Sequence, residues 1–189
     1  YSSDPKAERA ALDAAYAQAM SAIAARYPRD ADIALLHAEA LMNLSPWDYW
    51  EAAGARPKGL TAEILTLLEQ VLQRQPDHPG AIHYYIHMVE ASANPGRALP
   101  YADRLGSLMP GAGHLVHMPF HIYYRVGMYR ESLAINKRAM AADEAYFRTS
   151  PSDPLYKAAY YPHNIHFLMV SAQMGGDGTA AIAAAAKLD

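Results

Sequence analysis

The chain has 189 residues, of which 52% are hydrophobic and 19% charged, so it is long enough to form one sizeable domain with a buried core. The formal net charge is −3 and no block of like charge occurs, which argues against a nucleic-acid-binding protein. The chain has no cysteine and no apolar run near the roughly 20 residues that cross a bilayer, so disulfides, thiolate metal sites and a membrane span in this segment are excluded. The compartment is left open between cytoplasm and periplasm.

Helical patterns follow one another along the whole chain. Apolar residues at i, i+3 and i+4 alternate with Pro, Gly, Asn and Asp, which predicts an all-α protein. Asp4-Pro5, Thr61, Asn94-Pro95 and Thr179 supply the signals that begin helices. The predicted helices occupy about 5–27, 31–44, 61–75, 79–92, 95–109, 112–126, 129–146, 162–174 and 179–188. We expect them to form successive antiparallel pairs.

A repeat of 34 residues runs through the middle of the chain. Identical residues recur at this offset at Leu65 and Leu99, Pro76 and Pro110, His83 and His117, His87 and His121, and Leu99 and Leu133. The period is that of the tetratricopeptide repeat, a helix pair that stacks on its neighbours because it cannot bury its apolar face alone. The sequence therefore predicts a tetratricopeptide-type α-solenoid of stacked antiparallel helix pairs, forming a single domain over 1–189.

Two insertions interrupt this repeat. A later recurrence of the histidine pattern has an offset of 49, one period of 34 plus 15 residues, from His114 and His117 to His163 and His166. The extra residues predict a loop at about 148–161, and a comparable loop is predicted at about 45–60. Long loops within a tight repeat are usually functional or face a partner.

Four strings resemble a known family: SPWDYW (45–50), HYYIHMVEAS (83–92), GAGHLVHMPFHIYYRVGMY (111–129) and YPHNIHFL (161–168). They are similar to a bacterial family of larger tetratricopeptide proteins, and the similarity spans nearly the whole chain. The resemblance implies that this chain is an internal or C-terminal piece of a longer protein. It implies a fold and no established reaction. In the repeat register of that family, the histidine positions line the concave groove.

Seven of the nine histidines share equivalent positions in the repeats, and we predict that they are metal ligands: His83, His87, His114, His117, His121, His163 and His166. Histidines at i and i+4 lie on one helix face. Because packed helices lie about 8–10 Å apart, imidazoles on neighbouring helices can share an ion at roughly 2 Å. Without thiolates, the candidate ions are zinc, copper, nickel and iron. Seven imidazoles exceed one tetrahedral shell, so either two ions bind or some histidines support the others. In the leading hypothesis, the ion is held by His83, His87, His117 and His121, and His114, His163 and His166 complete or support the site.

Two other interpretations compete with a metal site. In one, the groove binds a peptide or partner protein and the histidines only form hydrogen bonds to it. In the other, the chain is an inert scaffold and the histidines form a structural hydrogen-bond network. The sequence contains no nucleophile elbow, phosphate-binding glycine loop or dinucleotide fingerprint, so an enzymatic function would rest on the metal.

Three further residues carry local predictions. Pro119 lies within a predicted helix, where it lacks an amide hydrogen and clashes with the Leu115 carbonyl, so it should kink or unwind the helix. The kink either shapes the site or follows the superhelix. His78 lies in a turn and is predicted to cap a helix, while His37 has no register that ties it to the other histidines.

Aromatic and methionine side chains near the histidines have two interpretations. Trp47, Tyr49 and Trp50 either line a ligand cavity or fold onto the helices as a small satellite core, and the second role is favoured. Met88 and Met118, beside histidines of the predicted site, are interpreted as core residues rather than thioether ligands of copper.

Overall fold

The computed structural model describes residues 2–4, 6–150 and 154–188, and the all-α class expected from the sequence is confirmed. The α-helices are α1 (Arg9–Arg26), α2 (Ala31–Met42), α3 (Thr61–Arg74), α4 (Pro79–Val89), α5 (Leu99–Leu108), α6 (Gly113–His117), α7 (Pro119–Arg125), α8 (Tyr129–Thr149), α9 (Pro154–Gly175) and α10 (Gly178–Ala185). A 3-10 turn, Pro95–Ala98, precedes α5. Within the described ranges, none of these helices has the length and apolarity to cross a membrane.

The chain divides into two compact units, residues 1–93 and 94–189. In the first unit, α1 packs on α2, α2 on α3 and α3 on α4. In the second, α5 packs on α6 and α7, both of these pack on α8, and α8 and α10 pack on α9. Within each unit, helices that follow one another in the chain therefore pack together.

Each unit has its own apolar core, because the amphipathic helices turn their apolar faces towards one another. In the first unit, Ile64, Leu68 and Ile82 are fully buried. In the second unit, Val116 and Ile135 form part of one buried cluster, and the core continues into α9 and α10. Each such side chain stabilises its unit by about 1.5–3 kcal/mol through the burial of apolar surface.

The predicted 34-residue period is visible in the spacing of the helices. The first helical segments of three successive pairs begin at residues 61, 95 and 129, where residue 95 begins the 3-10 turn that leads into α5, and each step is 34 residues. The second helices α4 and α6 begin at 79 and 113, which is again a step of 34. The recurrence of leucine, proline and histidine therefore reflects a recurrence of helix pairs.

The predicted loop at 45–60 contains a short antiparallel hairpin, so the chain is not entirely helical as the periodicity suggested. Strand β1 (Trp50–Glu51) pairs with β2 (Arg56–Pro57). The four-residue turn 52–55 between the strands places Ala52, Ala53 and Gly54 at positive φ. Glycine adopts this conformation readily and alanine rarely does, so Gly54 is the residue in the turn whose type indicates it.

The predicted loop at 148–161 is wrong for most of its length. Helix α8 continues to Thr149, and α9 begins at Pro154 and runs through Pro162; residues 151–153 lie outside the described residues. A proline usually marks a helix start. Inside a helix it removes one backbone hydrogen bond, and the helix continues through it only where other contacts compensate for that loss. Here Tyr156 stacks on Tyr160, one helical turn away, and so extends α9 towards its N-terminus.

The predicted interruption at Pro119 is confirmed. Helix α6 ends at His117, and α7 begins at Pro119. Proline lacks the amide hydrogen that would continue the helix, but its fixed φ suits the first position of the next one. The break sets the relative orientation of His117 and His121, the last residue of α6 and the third residue of α7.

Candidate metal centre

Three imidazoles converge in the second unit, and they come from three helices. His117 ends α6, His121 lies in the first turn of α7, and His163 lies in α9. The Nε2 atom of His117 is 3.1 Å from Nε2 of His121 and 3.1 Å from Nε2 of His163. One ligand atom from each residue lies within 4.8 Å of the other two. We call these three residues the histidine triad.

The tautomer of His117 is fixed by Asn136. His117 Nδ1 and Asn136 Oδ1 are 2.6 Å apart, and Asn136 Nδ2 donates to the carbonyl oxygen of Ser132 at 3.0 Å and to Ser171 Oγ at 3.3 Å. Since the amide nitrogen is committed to these two acceptors, its oxygen faces the imidazole and accepts a hydrogen bond from Nδ1–H. The proton is therefore on Nδ1, and Nε2 turns a lone pair towards His121 and His163.

Helix α8 carries a polar stripe that orients the triad. Ser132, Asn136 and Asp143 are fully buried, and their spacings of 4 and 7 residues place them on one helix face. Ser132 Oγ is 2.7 Å from Ser171 Oγ, and Ser171 donates to the Phe167 carbonyl oxygen. Buried polar groups are costly unless they are hydrogen-bonded, and these groups hold α9 at a fixed register on α8.

Asp143 anchors the start of α6 and the middle of α9. Its Oδ1 accepts from the hydroxyl of Tyr156 at 2.7 Å, and its Oδ2 accepts from Asn164 Nδ2 at 2.7 Å. The same Tyr156 oxygen accepts from the backbone N–H of His114 at 3.2 Å, in the first turn of α6. Burial raises the pKa of Asp143, although the two hydrogen bonds act in the opposite direction. These contacts hold α6 and α9 together beside the triad.

Gly113 makes this approach sterically possible. A Cβ atom built at Gly113 would lie 1.8 Å from Asp143 Oδ1 and 3.0 Å from the carbonyl oxygen of Ala139. Any side chain would therefore push α6 away from α8. The glycine is required here for close approach rather than for an unusual backbone conformation.

Two phenylalanines form an apolar wall against the triad. Phe167 lies 4.5 Å from His163, 5.3 Å from His117 and 5.6 Å from His121, measured between ring centroids. Phe120 lies 5.2 Å from His117 and 4.4 Å from Phe167. An apolar wall excludes water and strengthens electrostatic interactions inside the site.

The surroundings of His117 disfavour a positive charge on its imidazole. Burial lowers the pKa of His117 well below its usual range, the charge of His121 lowers it further, and only the hydrogen bond with Asn136 opposes these effects. His117 is 0% exposed and His121 is also buried. At neutral pH, His117 therefore remains neutral and keeps the Nε2 lone pair that a metal ion requires.

Of the other predicted ligands in the second unit, His114 borders the triad and His166 does not. The His114 ring is 5.8 Å from that of His117 and 4.9 Å from that of Tyr160, between centroids. His166 is exposed, and its ring centroid lies 5.3 Å from that of Phe167. The sequence offset of 49 pairs His166 with His117, but the structure brings His163 to His117, because the hydrogen bonds of Asn164 and Ser171 to α8 fix the rotation of α9.

In the first unit, His83 and His87 lie one turn apart on α4 as predicted. Their ring centroids are 4.9 Å apart, and His87 Nδ1 is 3.0 Å from a carboxylate oxygen of Glu90. His83 also stacks on Tyr84. This pair has the spacing expected of two ligands on one helix face.

The two histidines that were not predicted to bind metal, His78 and His37, cap a helix and lie buried in the first unit, respectively. His78 caps α4 by accepting from the backbone N–H of Ala81 at 3.3 Å, as predicted, and its Nε2 is 3.1 Å from Asp32. His37 is buried on α2. Met88 and Met118 are fully buried, in agreement with their predicted role in the core.

The aromatic residues of the 45–60 loop divide into two groups. Tyr49 is buried and Trp50 donates from Nε1 to the carbonyl oxygen of Met88 at 2.7 Å, so both pack against the helices as predicted. Trp47 is 70% exposed, and its ring makes an edge contact with His87 at a centroid distance of 5.1 Å. The packing role favoured by the sequence therefore does not extend to Trp47.

Asn136, Asp143 and Ser171 are the residues that sequence reasoning missed. Each is a single polar residue within a helix and lacks a recognisable motif. The signal that was present is the spacing of polar residues on the face of α8 that also carries Ile135 and Ala139. A polar residue on an apolar helix face requires a buried partner, and here the partners lie beside histidines.

Comparison of the chain with family models, with curated proteins and with solved structures gave no match. The functional argument therefore depends on the geometry of the triad and its surroundings.

Proposed function

We propose that this chain is a tetratricopeptide-type helical-repeat protein that binds a transition-metal ion through His117, His121 and His163. The observation that carries the proposal is the position of His117 Nε2, which has its lone pair available and lies 3.1 Å from a ring nitrogen of each partner. Asn136 fixes this tautomer, and such an orienting hydrogen bond on the far nitrogen is typical of metal-binding histidines.

Hydrogen bonding alone accounts poorly for this arrangement. A neutral imidazole protonated at Nδ1 has one acceptor lone pair at Nε2, so it can satisfy one N–H donor well. Two ring nitrogens approach that single lone pair equally closely. Protonating one ring would place a positive charge among buried aromatic side chains, which is unfavourable. A cation shared by the three nitrogens requires no proton between them.

The distances also suit a metal ion. At metal–nitrogen lengths of about 2.0–2.1 Å, two ligands of a tetrahedral ion are roughly 3.3–3.4 Å apart, and adjacent ligands of an octahedral ion about 2.9 Å. The observed 3.1 Å lies between these values. Zinc, copper, nickel and iron all accept imidazole ligands. Three imidazoles leave a coordination position for water or a substrate, which is the arrangement used by catalytic zinc sites.

The proposal is tested with untagged, chelator-treated protein. Zinc affinity is measured by competition with a chromophoric chelator, and cobalt(II) absorption reports the coordination geometry. We expect His163→Ala to lower the affinity of this centre by about tenfold or more, because loss of a ligand costs at least as much as loss of an orienting partner. His166→Ala is the matched control, since it removes an exposed imidazole from the same helix.

Equal zinc affinities in the His163→Ala and His166→Ala proteins would contradict the proposal, provided that circular dichroism shows both to be folded. The same conclusion follows if the unmutated protein binds no zinc or cobalt above background. Either result would favour the alternative, a helical-repeat scaffold that binds a peptide or partner protein without a metal.

A further inference from the structure

Helix α4 of the first unit carries a second set of potential ligands. His83 and His87 each present a ring nitrogen within 4.8 Å of the other. The pair occupies positions i and i+4, where side chains meet on one helix face. Two imidazole ligands of one tetrahedral ion have nitrogens roughly 3.3 Å apart, a separation within the 4.8 Å bound that holds for this pair.

Glu90 orients one of these imidazoles. Its Oε1 lies 3.0 Å from His87 Nδ1, one turn further along the chain, and the His87 side chain is almost fully buried. A carboxylate has no proton to donate at neutral pH, so Nδ1–H is the donor and Nε2 carries the lone pair. A carboxylate that holds the far nitrogen of a histidine also increases the basicity of the ligating nitrogen.

The 45–60 loop is fixed to the end of α4 beside this pair. Trp50 donates to the Met88 carbonyl oxygen, and the backbone N–H of Ala93 donates to the Gly54 carbonyl oxygen at 2.9 Å. A Cβ atom on Gly54 would lie 2.5–2.6 Å from backbone atoms of Ala91, Ser92 and Ala93. The loop thus follows the helix terminus too closely to accommodate a side chain at that position.

This fixed loop presents Trp47 to His87 in a disfavoured conformation. Trp47 has φ 64°, which costs an L-residue about 1–2 kcal/mol, and its side chain is 70% exposed. The burial of this side chain therefore does little to offset the strain. Strained residues of this kind cluster at ligand sites. The indole edge faces the ring of His87, at a centroid distance of 5.1 Å.

We infer that His83 and His87 hold a second transition-metal ion, with Glu90 orienting His87 and Trp47 lying against the site. Two imidazoles and water suit copper(II), nickel(II) or zinc, and copper(II) binds such ligands most strongly among divalent ions. This inference goes beyond the proposed function, because it uses residues of the first unit and none of the triad.

Copper(II) titration of untagged, chelator-treated full chain tests the inference. Copper(II) is paramagnetic and quenches the fluorescence of a nearby indole. Trp47 and Trp50, the two tryptophans of the chain, both lie beside α4 and together report on an ion bound to His87. We expect the unmutated protein to bind two copper(II) ions per chain. We expect His121→Ala/His163→Ala to bind one ion and keep the quenching, and His83→Ala/His87→Ala to bind one ion and lose most of the quenching.

Two further variants separate ligation from folding. His78→Asn is the matched control in the first unit, since asparagine retains a helix cap, and it should bind and quench like the unmutated protein. Glu90→Gln keeps the side-chain size and should lower the copper(II) affinity of one of the two sites by roughly 10–100-fold. Circular dichroism confirms that each variant is folded.

Unchanged copper(II) binding and quenching in His83→Ala/His87→Ala would overturn the inference, whether the unmutated protein binds one ion or two. The result differs if the triad itself binds no copper(II). In that case His121→Ala/His163→Ala binds as many ions as the unmutated protein, while His83→Ala/His87→Ala still loses the ion of the first unit.

Discussion

At the scale of single residues, the proposed centre depends on how Asn136 divides its amide between two functions. The amide nitrogen is bound to Ser132 and Ser171, and the amide oxygen is left for His117. The imidazole can then expose only Nε2 as a lone pair. A buried amide therefore selects one of two tautomers in a side chain that contacts both other members of the triad.

Replacing Asn136 separates this orienting role from packing. We expect Asn136→Ala to destabilise the folded protein by about 1–3 kcal/mol, because His117 Nδ1–H loses its buried acceptor. Zinc affinity should fall roughly 10–100-fold. Asn136→Asp preserves an acceptor and is expected to bind zinc more tightly than Asn136→Ala. Competition titrations and thermal unfolding measure both effects, and equal affinities in the two variants would show that Asn136 does not orient His117.

The lowered pKa of His117 makes the metal-free protein sensitive to acid. In the unfolded chain a histidine has a pKa of about 6.5, so between that value and the lower folded pKa the unfolded state binds more protons. Stability from this residue is therefore fully present above about pH 6.5 and is lost as the pH falls, with a slope of at most about 1.4 kcal/mol per pH unit.

This pH dependence is measured by urea unfolding of the chelator-treated protein between about pH 7.5 and 5. The His117→Gln variant should show a shallower loss of stability over that range, since glutamine does not titrate. Metal binding should weaken over the same range, because protons compete for the ligands. An identical pH profile in His117→Gln and the unmutated protein would contradict the argument.

At the scale of elements, the contact between α6 and α8 should respond strongly to a single methyl group. Gly113→Ala places a Cβ atom on the Asp143 carboxylate, so we expect a loss of stability of a few kcal/mol and weaker zinc binding as α6 moves. Gly111→Ala is the control two residues earlier, where a Cβ has no atom within 4 Å, and it should change stability by about 0.5 kcal/mol or less. Equal unfolding midpoints would contradict this account of the contact.

The helices were largely predictable because their apolar periodicity is long and their boundaries carry proline, glycine or a capping residue. The errors fall where local signals mislead. Pro162 resembles a helix start although α9 runs through it, and Ala52 and Ala53 adopt turn conformations without the residues that normally indicate them. In both cases tertiary contacts override the local preference, and a single sequence does not show those contacts.

The candidate site was predictable only where regular spacing along the sequence indicates a shared helix face. Recurrent spacing placed His117 and His121 on one stripe, but the choice between His163 and His166 depends on the rotation of α9 about its axis. That rotation is set by Ser171 and Asn164 against α8. Isolated serine and asparagine residues carry no pattern that identifies their partners 21 or 39 residues away.

At the scale of the whole molecule, the chain has two compact units. We therefore expect a metal bound by the triad to stabilise residues 94–189 selectively. In the His83→Ala/His87→Ala background, zinc at a free concentration of 100 times Kd should add about 2.7 kcal/mol to the stability of that unit. Slowly exchanging amides of α8 and α9 should then exchange about 100-fold more slowly, while those of α2 and α3 stay unchanged. Hydrogen exchange followed by mass spectrometry measures this, and equal protection in both units would contradict selective stabilisation.

The two equal separations that His117 makes with His121 and His163 have a consequence for metal supply. With metal–nitrogen lengths of about 2.0–2.1 Å, a nitrogen separation of 3.1 Å corresponds to a bond angle of roughly 95–102°, between the octahedral and tetrahedral values. Such an angle suits tetrahedral and octahedral ions about equally, so the ion in the proposed centre would be decided by relative affinity and by which ions are available. Protein produced in media of different trace-metal content would then carry different metals, and incorrect metallation would be the normal outcome of copper excess.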